Sequence, residues 1–143
     1  MNTTATDTRL VQPYLMFDGC CEEALEFYKK ALCAEVTMLL RYKDNPEPPS
    51  SSCPSVPLDK VMHAQLRIGE TVVMASDGHC AGHPDFKGFC LSLTVPTETA
   101  AKQTFQGLSA GGKVTMPLEK TFFSPCFGML TDRFGVGWMI LTR

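Results

Sequence analysis

His63, Gln65 and Arg67 stand at alternate positions of "HAQLRIGETVVMAS", with Ala64, Leu66 and Ile68 between and after them. Alternation with period two marks a strand that turns one face to a core and the other to something polar. A neutral imidazole on the polar face can bind a substrate oxygen or act as a general base near neutral pH. Gln65 adds an amide to that face, and Ser76 a hydroxyl. Two surroundings suit these types: solvent over a bare strand, or the lining of a pocket.

The turn decides which residues share a face. Gly69-Glu70 puts glycine at the first central position, as a type II′ two-residue hairpin prefers. In that register His63 faces Ser76, Gln65 faces Met74 and Arg67 faces Val72. Met62, Ala64, Leu66, Ile68, Val73 and Ala75 then form a wholly apolar opposite face, which predicts a helix beneath it. His63 keeps two readings. It is a structural histidine bonded to Ser76 across the hairpin, or a functional group with Ser76 or Asp77 beside it.

Three further groups have chemistry to offer. "DGHCAGHPD" holds His79, Cys80 and His83 within five positions of a glycine-containing loop. Zinc could use them if a fourth ligand came from elsewhere, and loop residues of this kind are otherwise simply exposed. Glu119 follows Pro117-Leu118, which leaves its facing open. Asp132, in "TDRFG", is expected to close a turn by bonding its own backbone. Seven cysteines, an odd number with Cys20 and Cys21 adjacent, predict reduced thiols in a cytoplasmic protein, most of them buried.

The elements that must position these residues come in two similar runs. "LVQPYLMF" is a strand candidate, and "DGCCEEALEFYKKALC" has helical period, with Cys21, Leu25, Tyr28 and Leu32 on one stripe. Glu22 and Glu23 in its first turn and Lys29 and Lys30 near its last suit the helix dipole. "AEVTMLLRY" is the next strand. "KDNPEPPSSSCPSVPLDK" contains five of the ten prolines, so residues 44–60 form a loop, either a functional flap or partly disordered. After the hairpin, "GFCLSLTVP" is a strand and Thr97 an N-cap for a helix that buries Ala101, Phe105 and Leu108. Gly111-Gly112 ends that helix. "KVTMPLEKTFF", interrupted by Pro117, and the two strands of "CFGMLTDRFGVGWMILT" complete the second run.

Val11 to Ala34 spans 23 positions and Phe89 to Lys113 spans 24, so strand, helix and three strands are written twice. This predicts an α+β fold of duplicated βαβββ units forming a cupped mixed sheet, each unit burying one sheet face under its helix. Residues 1–10 are expected to be a disordered lead-in and residues 11–143 a single domain. Unit one covers 11–78 and unit two 88–143. A chain of 143 residues, 44% hydrophobic and 20% charged, with net charge −2, suits one globular domain. It carries no electrostatic footprint for nucleic acid or an anionic membrane. No apolar run approaches the roughly 20 residues that span a bilayer.

"QPYLMFDGCCEEALEFYKKAL", "VMHAQLRIGETVVMASDG" and "TFFSPCFGMLTDRFGVGWMI" together resemble the PhnB-like branch of the vicinal oxygen chelate superfamily, which includes glyoxalase I, bleomycin-resistance proteins and extradiol dioxygenases. The resemblance covers Val11 to Thr142 and implies the branch, not a reaction. Proteins of this branch have often carried a label as a ubiquinone-pathway methyltransferase. No glycine-rich loop between strand and helix offers to hold a methyl-donor nucleotide, and no cofactor is expected. The wider fold places metal ligands on the first and fourth strands of each unit. Those positions fall here near Gln12, Met74, Cys90 or Ser92, and Ile140; only Gln12 suits a hard divalent ion, so no metal site is expected.

The resemblance supports a functional His63, since a histidine in "MHAQLRIG" is typical of the branch. His63 is then the catalytic or binding centre, with Gln12, Tyr14, Gln65, Ser76, Ser92, Phe122 and Trp138 lining the cup around a small-molecule ligand. Trp138 has a second reading as the anchor of the last strand. Three functions compete: a metal-free pocket, with or without turnover; a ligand-sequestering module of the antibiotic-resistance kind; and a metal-dependent lyase or dioxygenase. Pairing into a homodimer is expected, since members of the fold commonly complete their cups across a two-fold interface.

Overall fold

The computed structural model describes residues 7–45, 57–78 and 80–143. The order is β1 (Tyr14–Met16), α1 (Cys21–Leu32), β2 (Glu35–Arg41), β3 (Val61–Ile68) and β4 (Thr71–Ser76), then β5 (Leu91–Val95), α2 (Glu98–Ser109), β6 (Lys113–Glu119), β7 (Phe127–Thr131) and β8 (Gly137–Thr142). The predicted βαβββ unit is therefore present twice. Each unit makes its own four-stranded mixed sheet, in the orders β1-β4-β3-β2 and β5-β8-β7-β6. In each, the opening strand runs parallel to the last. The flap reading of residues 44–60 and the lead-in reading of 1–10 fall largely outside the described residues. Of the loop, Asp44 closes a short 3-10 turn, and Leu58 and Lys60 anchor the return by accepting from the Lys43 and Tyr42 amides.

The β3–β4 hairpin has the expected register, with Gln65 opposite Met74 and Arg67 opposite Val72. Gly69 has φ 58° and Glu70 keeps a negative φ, the combination of a type II′ turn. The apolar face lies inward: Ala64, Leu66, Val73 and Ala75 are all buried beside Leu25 and Tyr28 of α1. Unit two repeats this, with Ala101, Phe105 and Leu108 of α2 packed in the same core as Leu130, Trp138 and Ile140. Thr97 caps α2, its hydroxyl oxygen accepting from the Ala100 amide at 3.0 Å. Gly112 leaves no room for a side chain, because a Cβ there would stand 2.3 Å from the Thr131 carbonyl oxygen. Pro117 is tolerated inside β6 because β6 is an edge strand, and its pairing with β7 shifts register there.

Two buried carboxylates brace this frame. The N-cap residue of α1, Cys20, makes no side-chain cap. Asp77, just past β4, supplies one instead. Its Oδ1 accepts from the Gly19 and Cys21 amides at 2.9 and 2.8 Å, and its Oδ2 accepts from the Val61 amide at 2.8 Å. The second is Asp132, between β7 and β8. Its Oδ1 accepts from the amides of Phe134 and Val136, closing the turn as expected. Its Oδ2 accepts from the Tyr28 hydroxyl at 2.5 Å and the Trp138 indole N–H at 2.9 Å. Tyr28 belongs to unit one and Asp132 to unit two, so this bond ties the two halves together. Burial, and after it the Asp132 charge, push the Tyr28 phenol up, so it stays protonated and donating.

Candidate functional site

Both helices lie on the inner faces of the sheets, which leaves the other face of each sheet uncovered. On the first sheet that face is built from alternate residues of four strands. One row across it runs Tyr14, Met74, Gln65, Met38, each beside the next. In the adjoining row Met16 pairs with Ser76, and His63 with Leu40. Tyr14, Met16, Met38 and Leu40 are 38% to 47% exposed, an unusual amount of apolar surface for neighbouring strand positions.

The polar centre of the face is a pair. Tyr14, on β1, reaches over β4, and its hydroxyl lies 2.9 Å from His63 Nδ1, with ring centroids 5.6 Å apart. In the tautomer protonated at Nε2 the phenol donates to Nδ1. Nε2 then has no hydrogen-bond partner among the described residues. The cations near it in register are engaged elsewhere: Arg67 in an ion pair with Glu35 at the start of β2, and Arg41, next to Leu40, in one with Glu22. The face thus offers thioethers, one amide and one imidazole–phenol pair. It can hold an uncharged apolar body and bind one oxygen on it.

The residues singled out from sequence separate into several places. Tyr14, His63 and Gln65 share the open face. Gln12 flanks it, its side-chain amide donating to the Val72 carbonyl at 3.3 Å. Ser76 is buried, and its hydroxyl accepts from the Gly78 amide at 2.9 Å, so the structure does not bring it to His63 as a partner. The bond of the structural reading of His63 is made to Tyr14 instead. Ser92 is exposed on β5, in the other sheet. Phe122 is fully exposed in the turn after β6, against Phe123. Trp138 is in the core, held by Asp132 and tilted against Tyr28 at 5.7 Å, the anchoring arrangement. Glu119 is exposed at the end of β6.

The positions of the fold's metal ligands do not fit a divalent ion. Ile140 is fully buried on the helix side and Met74 carries a thioether, which leaves the Gln12 carbonyl oxygen without the further hard donors that a divalent ion needs at these positions. Of the histidine-rich loop, His79 lies outside the described residues. The His83 amide donates to Asp18 Oδ2 at 3.0 Å, and burial pushes the Cys80 thiol up. What sequence reasoning missed is the Tyr14–His63 bond and the Asp77 and Asp132 braces. A signal for the second brace was present: a tyrosine in an apolar helical stripe and a tryptophan in a core strand each need an acceptor.

Two mixed βαβββ sheets, each covered on one side by its helix, are the vicinal oxygen chelate fold of glyoxalase and bleomycin-resistance type. Within that class, residues 9–141 match the family described as 3-demethylubiquinone-9 3-methyltransferase, and the chain belongs to this PhnB-like family. It is 35% identical over 136 residues to Protein YjdN of Escherichia coli, covering 91% of this chain and 92% of that one. Protein PA1353 from Pseudomonas aeruginosa is 40% identical, with TM-score 0.81 over 95% of this chain and 98% of its own. The PhnB protein from Bacillus cereus is 28% identical, with TM-score 0.76 over 94% and 100%.

The family's description names a methyl transfer, but the described residues do not fit a methyl-donor nucleotide. Neither sheet is the doubly wound parallel sheet that carries such a site. At the start of α1 the Gly19 and Cys21 amides are occupied by Asp77, and in α2 the Ala100 amide is occupied by Thr97. Among the described residues, no helix is long and apolar enough to cross a membrane.

Proposed function

We propose that this protein binds a small, uncharged, largely apolar molecule on the open face of its first sheet, without a metal ion. The observation that carries the reading is the Tyr14–His63 pair, a buildable hydrogen-bonding centre amid Met16, Met38 and Met74. An imidazole fixed through Nδ1 presents Nε2 to a hydroxyl or carbonyl oxygen of the ligand. A second copy of the chain covers the face and completes the cup, because exposed apolar sheet of this extent is otherwise a liability. Six described cysteines are free thiols, which suits a cytoplasmic protein.

The test is a thermal-shift and calorimetric screen of neutral aromatic fragments carrying one hydroxyl or carbonyl group. His63→Ala is expected to weaken the binders about tenfold or more, and Tyr14→Phe by a smaller factor, as one hydrogen bond of about 1 kcal/mol would give. Affinities unchanged in both variants would refute the site. Turnover of any binder, abolished by His63→Ala, would identify an enzyme; binding without turnover identifies a sequestering module. For the pairing, sedimentation is expected to give twice the 15.7 kDa chain mass, falling to one chain mass in Leu40→Glu. A monomeric wild type would contradict it.

A further inference from the structure

The two sheets are not hydrogen-bonded to each other: β1 ends one and β5 ends the other. Where the units meet beside these edges, side chains leave a cavity of about 210 Å³. Pro13, Ile68 and Val73 wall it from unit one; Leu91, Leu93 and Trp138 wall it from unit two. No charged side chain lines it, and Thr71, Cys90 and Ser92 supply its few polar atoms.

We propose that this seam cavity is a second binding site, separate from the open face, for a small uncharged aromatic or aliphatic molecule of benzene-derivative size. The size follows from the volume: an enclosed apolar cavity of roughly 150 Å³ accepts benzene, and this one, open to solvent beside Cys90 and Ser92, is somewhat larger. The class follows from the walls, where a charged ligand would lose its hydration with nothing to replace it. The cavity is also held open. Trp138 cannot swing in to fill it, because its indole N–H is bonded to Asp132 at 2.9 Å and its ring lies against Tyr28. Asp132 in turn is fixed by two backbone amides. The wall is thus pre-organised by a braced residue, and binding there costs little rearrangement. Ser92 and Trp138, which the family resemblance implies as lining of a cup around His63, both border this cavity. None of Tyr14, His63, Gln65, Met16, Met38 and Met74 lines this cavity, so the two sites are independent of each other.

The chain's one tryptophan is in the wall, so it reports occupancy directly. Iodobenzene, a heavy-atom quencher with no polar group, is the probe. Quenching of Trp138 emission is expected to saturate, with half-effect on the order of 0.1–1 mM. Val73→Phe from one unit and Leu93→Phe from the other fill the space and are each expected to raise that concentration about tenfold or more. In crystals soaked with iodobenzene, the anomalous iodine peak should lie between Val73 and Trp138, a result independent of whether either variant folds. Quenching linear in iodobenzene, a midpoint unmoved in a folded filling variant, or an iodine peak elsewhere would overturn the proposal.

Discussion

Asp132→Ala is expected to lose about 4 kcal/mol of folding stability, a large share of the roughly 5–15 kcal/mol that domains of this size possess. The carboxylate accepts four hydrogen bonds and is almost wholly buried. Removing it leaves the Tyr28 hydroxyl, the Trp138 indole N–H and two backbone amides without acceptors in a site water does not reach. Asparagine fits the space but turns an amide NH₂ toward donors, so Asp132→Asn should fall between alanine and wild type. Tyr28→Phe removes a single donor and should cost about 1 kcal/mol. Chemical denaturation measures all three. A loss below about 1 kcal/mol for Asp132→Ala would mean the brace does not hold the units together.

The second large effect is expected at Asp77. Its carboxylate replaces the missing side-chain cap of α1 and also holds the start of β3. Asp77→Ala strands three backbone amides, and it removes a negative charge from the positive end of the helix dipole. A loss of about 3 kcal/mol is expected, with Asp77→Asn retaining part of it. The location of the damage is as diagnostic as its size. Amide exchange should quicken at Gly19, Cys21 and Val61 and stay slow in α2, whose cap is Thr97. Uniform quickening across both helices would show that Asp77 contributes only to global stability.

The hairpin was legible because everything that sets it is local. Gly69 chooses the turn, the turn chooses the register, and the period-two pattern chooses the face. The duplicated unit was legible for a similar reason, since helical stripes and strand runs recur at near-equal spacing. Contacts between distant segments were not. The Tyr14–His63 bond joins residues 49 apart and exists only because β1 lies parallel to β4, so that a long phenol can lean across one strand. Ser76 alternates in phase with His63, yet it is the last residue of β4. The chain turns there and buries the hydroxyl against the Gly78 amide. Trp138 shares its strand with inward-facing Ile140, and the side it takes is set by Asp132 and by Tyr28, 104 residues from Asp132.

Ligand on the face bearing Tyr14 and His63 would be sensed by the methionines around that pair. The chain has eight, and labelling their methyl groups with carbon-13 gives a separate reporter for each region. Met16, Met38 and Met74 stand on the first sheet's open face, whereas Met116, Met129 and Met139 belong to the second sheet. Titrated with the hydroxyl-bearing aromatic fragments, the protein is predicted to shift the methyl signals of Met16, Met38 and Met74, and His63→Ala to abolish those shifts. Shifts confined to Met116, Met129 and Met139, or shifts that survive in His63→Ala, would show that ligand does not bind at the Tyr14–His63 pair.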